Sequence, residues 1–176
     1  MKPILWNPKY KDMIKDILGI SSEITITDVI GDGNCAFHSI LLLTLERDYQ
    51  DLDLDEKTEK ADKLREEILA DAHKFIDFYK LSKNISEELL EELPEREFIG
   101  NISIQCISFL IHFNIFVIDI SNGTICAEVE FNEKYPNIFL IYHQYHYMPI
   151  IINEICSYSS TEPFVKKITK QLGLGK

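Results

Sequence analysis

Between Ile24 and Leu45 a strand, a tight turn and a helix follow one another without a spacer, which fixes a strand-to-helix passage early in the chain. Ile24-Thr25-Ile26-Thr27-Asp28-Val29-Ile30 alternates and is rich in β-branched residues, which predicts a strand. Phe37, Ile40, Leu41, Thr44 and Leu45 then recur at helical spacing. Asp32-Gly33-Asn34-Cys35 lies between them, so Cys35 falls in the first turn of the helix. Backbone N–H groups without an intrahelical acceptor gather at such a point, together with the positive end of the helix dipole. This setting is expected to favour thiolate over thiol, and it makes Cys35 a candidate nucleophile. Gly33 allows a backbone geometry closed to residues with a Cβ and lets the turn tighten. Asp32 is, by residue type, a turn-former or N-cap.

Downstream the pattern is helical first and stranded late. An apolar stripe of Tyr10, Met13, Ile14, Ile17 and Leu18 predicts a short helix over 6–18, broken by Gly19 and Ser21-Ser22. Acidic residues dominate from Tyr49 to Glu59, which reads as an exposed loop. Leu64, Ile68, Ala72, Phe75, Ile76 and Tyr79 keep a period of 3.6 in a long amphipathic helix. A short helix is expected to begin at Ser86 as N-cap and to end before Pro94. Gly100 to Phe113 reads as a mostly buried helix. Strands are then predicted at Ile115–Ile118, Thr124–Phe131, Ile138–Tyr142 and His146–Ile152, with turns at Ser121-Asn122-Gly123 and at Asn132 to Pro136. The short turns suggest an antiparallel meander. Val165, Ile168 and Leu172 predict a basic amphipathic C-terminal helix over about 161–173. The expected organisation is a single domain over 1–176, with a core over about 20–155 and the two terminal helices as extensions. Its fold class is α/β (α+β), a small, mostly antiparallel central sheet packed between helical regions.

The 176 residues suffice for one substantial core without a disulfide or a structural metal. No apolar run reaches the roughly 18 residues a membrane span needs, and no basic-then-apolar signal segment is expected at the N-terminus. Ile102 to Ile118 comes nearest, but Gln105, His112 and Asn114 interrupt it. Cys35, Cys106, Cys126 and Cys156 form no C-x-x-C pair, so neither a disulfide framework nor a zinc site is expected. Their spacing fits a reducing, cytoplasmic setting, with Cys106 and Cys126 as small core hydrophobes. A net charge of -11 argues against nucleic acid as the main partner, since phosphate binding needs clustered Lys and Arg. An acidic surface instead steers a basic partner. No cofactor is expected, and the chain is expected to be a monomer.

Asp32-Gly33-Asn34-Cys35 followed by apolar residues resembles the active-site motif of the ovarian-tumour (OTU) family of cysteine proteases, which remove ubiquitin. The family's second motif, a histidine followed by an aromatic residue on a late strand, is matched by Tyr145-His146-Tyr147-Met148-Pro149-Ile150. The helix around Lys63-Leu64-Arg65-Glu66-Glu67-Ile68 and the passage from Gly100 through Ile118 also look similar. The resemblance spans roughly Thr25 to Ile152. It implies a papain-related fold and hydrolysis of the isopeptide bond after the C-terminal di-glycine of ubiquitin. Ubiquitin or polyubiquitin is then the implied partner, whose arginine-bearing tail suits an acidic enzyme, and ubiquitin-like modifiers stay open as substrates. The compact size resembles viral or bacterial-effector versions of the domain, which implies a host-cytosol setting. Two alternatives stand beside it: a catalytically weak ubiquitin- or partner-binding module of the same fold, and a polyprotein-processing protease.

Thiol proteolysis needs a nucleophile, a base and donors for the oxyanion. Cys35 fills the first role, and the N–H groups of its turn and of Cys35 itself are natural oxyanion donors. By the resemblance Asp32 is the motif aspartate, shaping the oxyanion turn rather than orienting histidine. His73 and His112 fall in helices, and His38, just past the nucleophile, needs no catalytic role. The resemblance selects His146 over His143, which lies before the strand. Many family members carry Asp or Asn two residues after the histidine, where this chain has Met148, and a thioether is a poor acceptor. The partner of His146 is then expected upstream of Cys35, among Asn7, Asp12, Glu23 and Asp28, with a bare Cys-His dyad as the other possibility.

Overall fold

A computed structural model describes residues 8–94, 98–127 and 131–174. In chain order these form α1 (Pro8–Leu18), β1 (Ile24–Ile26), α2 (Cys35–Leu45), α3 (Arg47–Gln50), α4 (Leu54–Tyr79), α5 (Lys83–Glu92), α6 (Asn101–Ile111), β2 (Asn114–Asp119), β3 (Thr124–Ala127), β4 (Asn137–His143), β5 (His146–Ile152) and α7 (Pro163–Gln171). The strands make one sheet in the order β1-β5-β4-β2-β3. Three pairings are antiparallel and β2–β4 is parallel, so the sheet is mixed and mostly antiparallel. The expected meander holds only for the β2–β3 and β4–β5 hairpins. After β3 the chain passes to the far side of β2, which leaves β3 at the edge. That edge strand is the least buried of the five, and its predicted continuation through Glu128, Val129 and Glu130 lies outside the described residues.

Strand alternation divides the core in two. Ile115, Val117, Ile138, Leu140, Tyr147 and Ile151 face α2, α4 and α6, while Phe116, Ile118, Phe139, Ile141, Met148 and Ile150 face α1 and α7. The flanking helices therefore close the second face of the sheet, through Ile14 and Leu18 on one side and Val165 and Ile168 on the other. α2 is buried on all sides from Cys35 to Leu43, as an apolar helix clamped between sheet and helices must be.

Three local expectations need correction. The acidic stretch after Tyr49 is not a loop throughout. Tyr49 is buried in α3, and Asp53 and Glu56 form a reciprocal capping box that starts the 26-residue α4. The N-cap of α5 is Ser82, whose side chain accepts from the N–H of Ile85; Ser86 sits inside the helix. Cys126 is exposed on β3 rather than part of the core, whereas Cys106 is buried and its thiol is pushed up to about 12 by desolvation. Among the described residues no helix is long and apolar enough to cross a membrane.

Candidate active site

The turn before α2 is built as the sequence requires. Gly33 has φ +89°, a conformation that L side chains rarely adopt, and Asp32 Oδ1 accepts the N–H of Asn34 at 3.0 Å. Cys35 then opens α2, 4% exposed. β5 comes to meet it. β1 covers β5 only from Ile150 to Ile152, so at Tyr147 the backbone turns to α2 instead of to a strand. The N–H of Tyr147 donates to Cys35 Sγ at 3.4 Å, and its carbonyl accepts from Ser39 Oγ at 3.2 Å. Two segments 112 residues apart are thereby locked together, and the residue next to the contact is His146.

His146 Nε2 lies 3.2 Å from Asp28 Oδ1. Because a carboxylate only accepts, this contact places the proton on Nε2 and leaves Nδ1 as the ring's acceptor, the tautomer a general base needs. The histidine is nearly buried, while the Asp28 side chain is 45% exposed, so the carboxylate orients the ring from the solvent side. Of the three upstream candidates among the described residues, Asp28 is thus the one brought to His146. Asp12 is exposed on α1, Glu23 pairs loosely with Lys15 at 3.6 Å, and Asn7 lies outside the described residues. The β1–β5 register accounts for the choice. Ile24 faces Ile152 and Ile26 faces Ile150, so the chain leaving β1 runs toward the His146 end of β5, and Asp28 lies two residues past the end of β1. Two residues after the histidine on its own strand stands Met148, buried in the core, and the carboxylate comes instead from the segment that follows β1.

Asp32 does not approach His146. Both its carboxylate oxygens lie 3.2 Å from His38 Nε2, and His38 Nδ1 meets the Tyr49 hydroxyl at 2.5 Å. His38 donates from Nε2 to Asp32 and shares a hydrogen bond at Nδ1 with the Tyr49 hydroxyl, in a fully buried site. Desolvation lowers its pKa, against the pull of Asp32. A buried histidine held neutral contributes stability that is complete above its unfolded value, about 6.5, and is lost as pH falls toward the lower folded value. In urea titrations the stability gap between the wild type and His38→Gln should accordingly narrow as pH drops below about 6.5; a gap that widens would contradict a neutral His38.

The thiol itself departs from expectation. Burial is the dominant influence and raises its pKa, while the N–H groups of Tyr147, Ala36 and Cys35 pull it back. Asp32 adds a further upward push. The helix start does supply donors, but in the resting site they do not outweigh desolvation. His143, at the end of β4, is the cross-strand partner of His146; its Nδ1 is buried and has no hydrogen-bond partner among the described residues. The sequence reading missed Arg65, whose guanidinium reaches the Gly33 carbonyl at 3.0 Å and the Asn34 side chain at 2.8 Å. Arg65 falls in phase with Ala61, Ile68, Ala72 and Phe75 on the buried stripe of α4, and that phase was the available signal. Among the described residues no group of three or more His, Cys, Asp or Glu side chains is placed to hold a metal ion.

No protein-family model and no curated protein sequence matches the chain. Solved structures do. The chain superposes on an ovarian-tumour (OTU) domain solved in complex with ubiquitin, with 22% identity and TM-score 0.52 over 84% of this chain and 81% of that one. It matches the OTU domain of OTUD1 with 14% identity and TM-score 0.54, over 72% of this chain and 85% of that one. It also matches the viral OTU domain protease from Taggert virus, with 15% identity and TM-score 0.53 over 77% and 84% of the two chains. At these identities the likeness is one of fold, and the protein has an OTU-like fold.

Proposed function

We propose that the protein is a thiol-dependent deubiquitinase in which Cys35 is the nucleophile, His146 the general base and Asp28 the residue that orients His146. The observation that carries this reading is the meeting of β5 with the start of α2. It holds the N–H of Tyr147 on Cys35 Sγ while the next residue, His146, is tied through Nε2 to Asp28. The OTU-like fold supports it, and one structure of that fold was solved with ubiquitin bound.

In the proposed reaction His146 Nδ1 takes the Cys35 proton as the sulfur attacks the carbonyl carbon of the last glycine of ubiquitin. The oxyanion collects at the first N–H groups of α2. His146 then returns the proton to the departing lysine amine, leaving a thioester on Cys35. Water, deprotonated by His146, hydrolyses the thioester and restores the thiol. The raised thiol pKa fits a proton transfer coupled to attack rather than a thiolate standing ready in the free site. Asp32 acts on the turn, through Asn34 N–H and His38, and not on the imidazole.

Ubiquitin bearing a C-terminal propargylamide should form a covalent adduct that peptide mass mapping assigns to Cys35. No adduct, under conditions where iodoacetamide alkylates Cys35, would overturn the reading in favour of a binding module. Asp28→Ala should lower kcat on a ubiquitin amide reporter about tenfold or more, some 1.4 kcal/mol in the barrier, with KM nearly unchanged. Met148→Asn should bring no gain, because it places an amide in the apolar second face of the core while Asp28 already serves the ring. A gain at Met148→Asn with no loss at Asp28→Ala would leave a bare Cys-His dyad.

A further inference from the structure

Asparagine at a helix N-cap ordinarily turns its side-chain oxygen to the N–H groups of the second or third helical residue. The N-caps of α4 and α5 behave this way, with Asp53 accepting from Glu56 N–H and Ser82 from Ile85 N–H. Asn34, the N-cap of α2, does not: it makes no side-chain capping bond, although its residue type is among the best for one. Both ends of its amide are engaged elsewhere. Nδ2 donates to Asp62 Oδ1 at 2.8 Å, and Oδ1 accepts from Arg65 Nε at 2.8 Å. Asn34 is completely buried, so water does not satisfy what these partners leave.

The partner that draws Oδ1 away is itself expensive to place. Arg65 is 3% exposed, and a buried guanidinium is tolerated only with its donors satisfied. It has them. Nη1 donates to the carbonyls of Glu92 and Leu93 at 3.0 and 3.1 Å, Nη2 donates to Gly33 O at 3.0 Å, and the group lies over the Phe37 ring at 4.5 Å. The same side chain thus grips the turn on both sides of the Gly33–Asn34 peptide. The N–H groups that Asn34 forgoes are those of Ala36 and Phe37, the second and third residues of α2, and the Ala36 N–H is one of the backbone groups that pull the Cys35 thiol pKa down against burial.

We propose that Arg65 and Asp62 are positioning residues that hold the Asn34 side chain off the start of α2, reserving its first N–H groups for the reacting sulfur and the oxyanion. The inference rests on Cys35 being the nucleophile. It makes a reversal prediction that a merely structural role does not. Once Arg65 lets go, the Asn34 oxygen competes with the sulfur for those donors, so deleting that oxygen as well should restore the site.

The experiment follows the pH profile of Cys35 alkylation by iodoacetamide, mapped by peptide mass, in wild type, Arg65→Lys and Asn34→Ala/Arg65→Lys. Lysine keeps a cation for the Glu92 and Leu93 carbonyls and loses the planar Nε. The midpoint should move up by about half a pH unit or more in Arg65→Lys, the scale of a lost helix-terminus interaction, and return toward wild type in the double variant. On the ubiquitin reporter kcat should fall about tenfold in Arg65→Lys with little change in KM, and recover in the double variant. Asp62→Ala, at a half-buried position, should shift the midpoint in the same direction by less, again reversed by Asn34→Ala. It decides the matter alone if circular dichroism finds Arg65→Lys unfolded. A double variant no better than the single, or midpoints unmoved in folded variants, would overturn the proposal. The alkylation arm needs no substrate, so absent ubiquitin turnover in the wild type would count against the proposed function and leave the thiol result in force.

Discussion

Cys35→Ala should abolish cleavage of a ubiquitin amide reporter and leave ubiquitin binding in place. The chemistry demands a complete loss, since no other side chain at the start of α2 can form the thioester. Cys106 and Cys156 are buried elsewhere, with thiols pushed up to about 12 and about 11, and Cys126 lies on β3. The cost in stability should be modest but measurable. Alanine removes one buried sulfur together with its hydrogen bond from the Tyr147 N–H, on the order of 0.5–1.5 kcal/mol for one such bond. Cys35→Ser separates the two effects, because the hydroxyl can still accept from Tyr147 while serving poorly as a nucleophile. Serine should therefore regain part of the thermal stability that alanine loses and none of the turnover. Reporter hydrolysis and thermal melts on the two variants check this, and full activity in Cys35→Ala would place the nucleophile elsewhere.

The cysteine and the histidine that meet at the candidate site were legible because each is announced locally, one by a strand-turn-helix with a glycine at its tightest point, the other by a strand with an aromatic neighbour. Asp28 was visible only as one of four. Its selection depends on the β1–β5 register, a pairing of segments more than a hundred residues apart that no local pattern encodes. The parallel β2–β4 pairing was missed for a similar reason. Short turns favour hairpins, and the chain does make them, yet which side of β2 receives β4 is decided by burial of both faces. Charge misled twice. Arg65 was given no role of its own although its phase is that of Ala61 and Ile68, and Tyr49 was placed in an acidic loop although its hydroxyl meets His38 in the core. In both cases the buried polar group is satisfied at the turn before Cys35, Arg65 directly through Gly33 and Asn34 and Tyr49 through His38 and Asp32.

His146→Ala should lower kcat by about a hundredfold to ten-thousandfold, the usual contribution of a positioned general base. The loss should be nearer the upper end here than in an enzyme whose thiol is already ionised. Burial raises the Cys35 pKa, so without His146 the proton has no nearby acceptor and the small thiolate fraction at neutral pH carries all remaining turnover. The residual activity should then climb with pH through the alkaline range, following direct ionisation of the thiol, whereas the wild type depends less on pH there because the imidazole takes the proton during attack. His143→Ala is the control. That ring sits opposite His146 across the β4–β5 pair, but its Nδ1 has no hydrogen-bond partner among the described residues, and burial lowers its pKa. Its removal should change kcat by no more than about fivefold, through loss of packing beside His146 rather than loss of a base. Rate–pH profiles of the two variants on the same reporter distinguish the roles. A large loss at His143→Ala with a small one at His146→Ala would reverse the assignment, and a His146→Ala variant whose residual rate is flat with pH would mean that the thiolate is already formed in the free site.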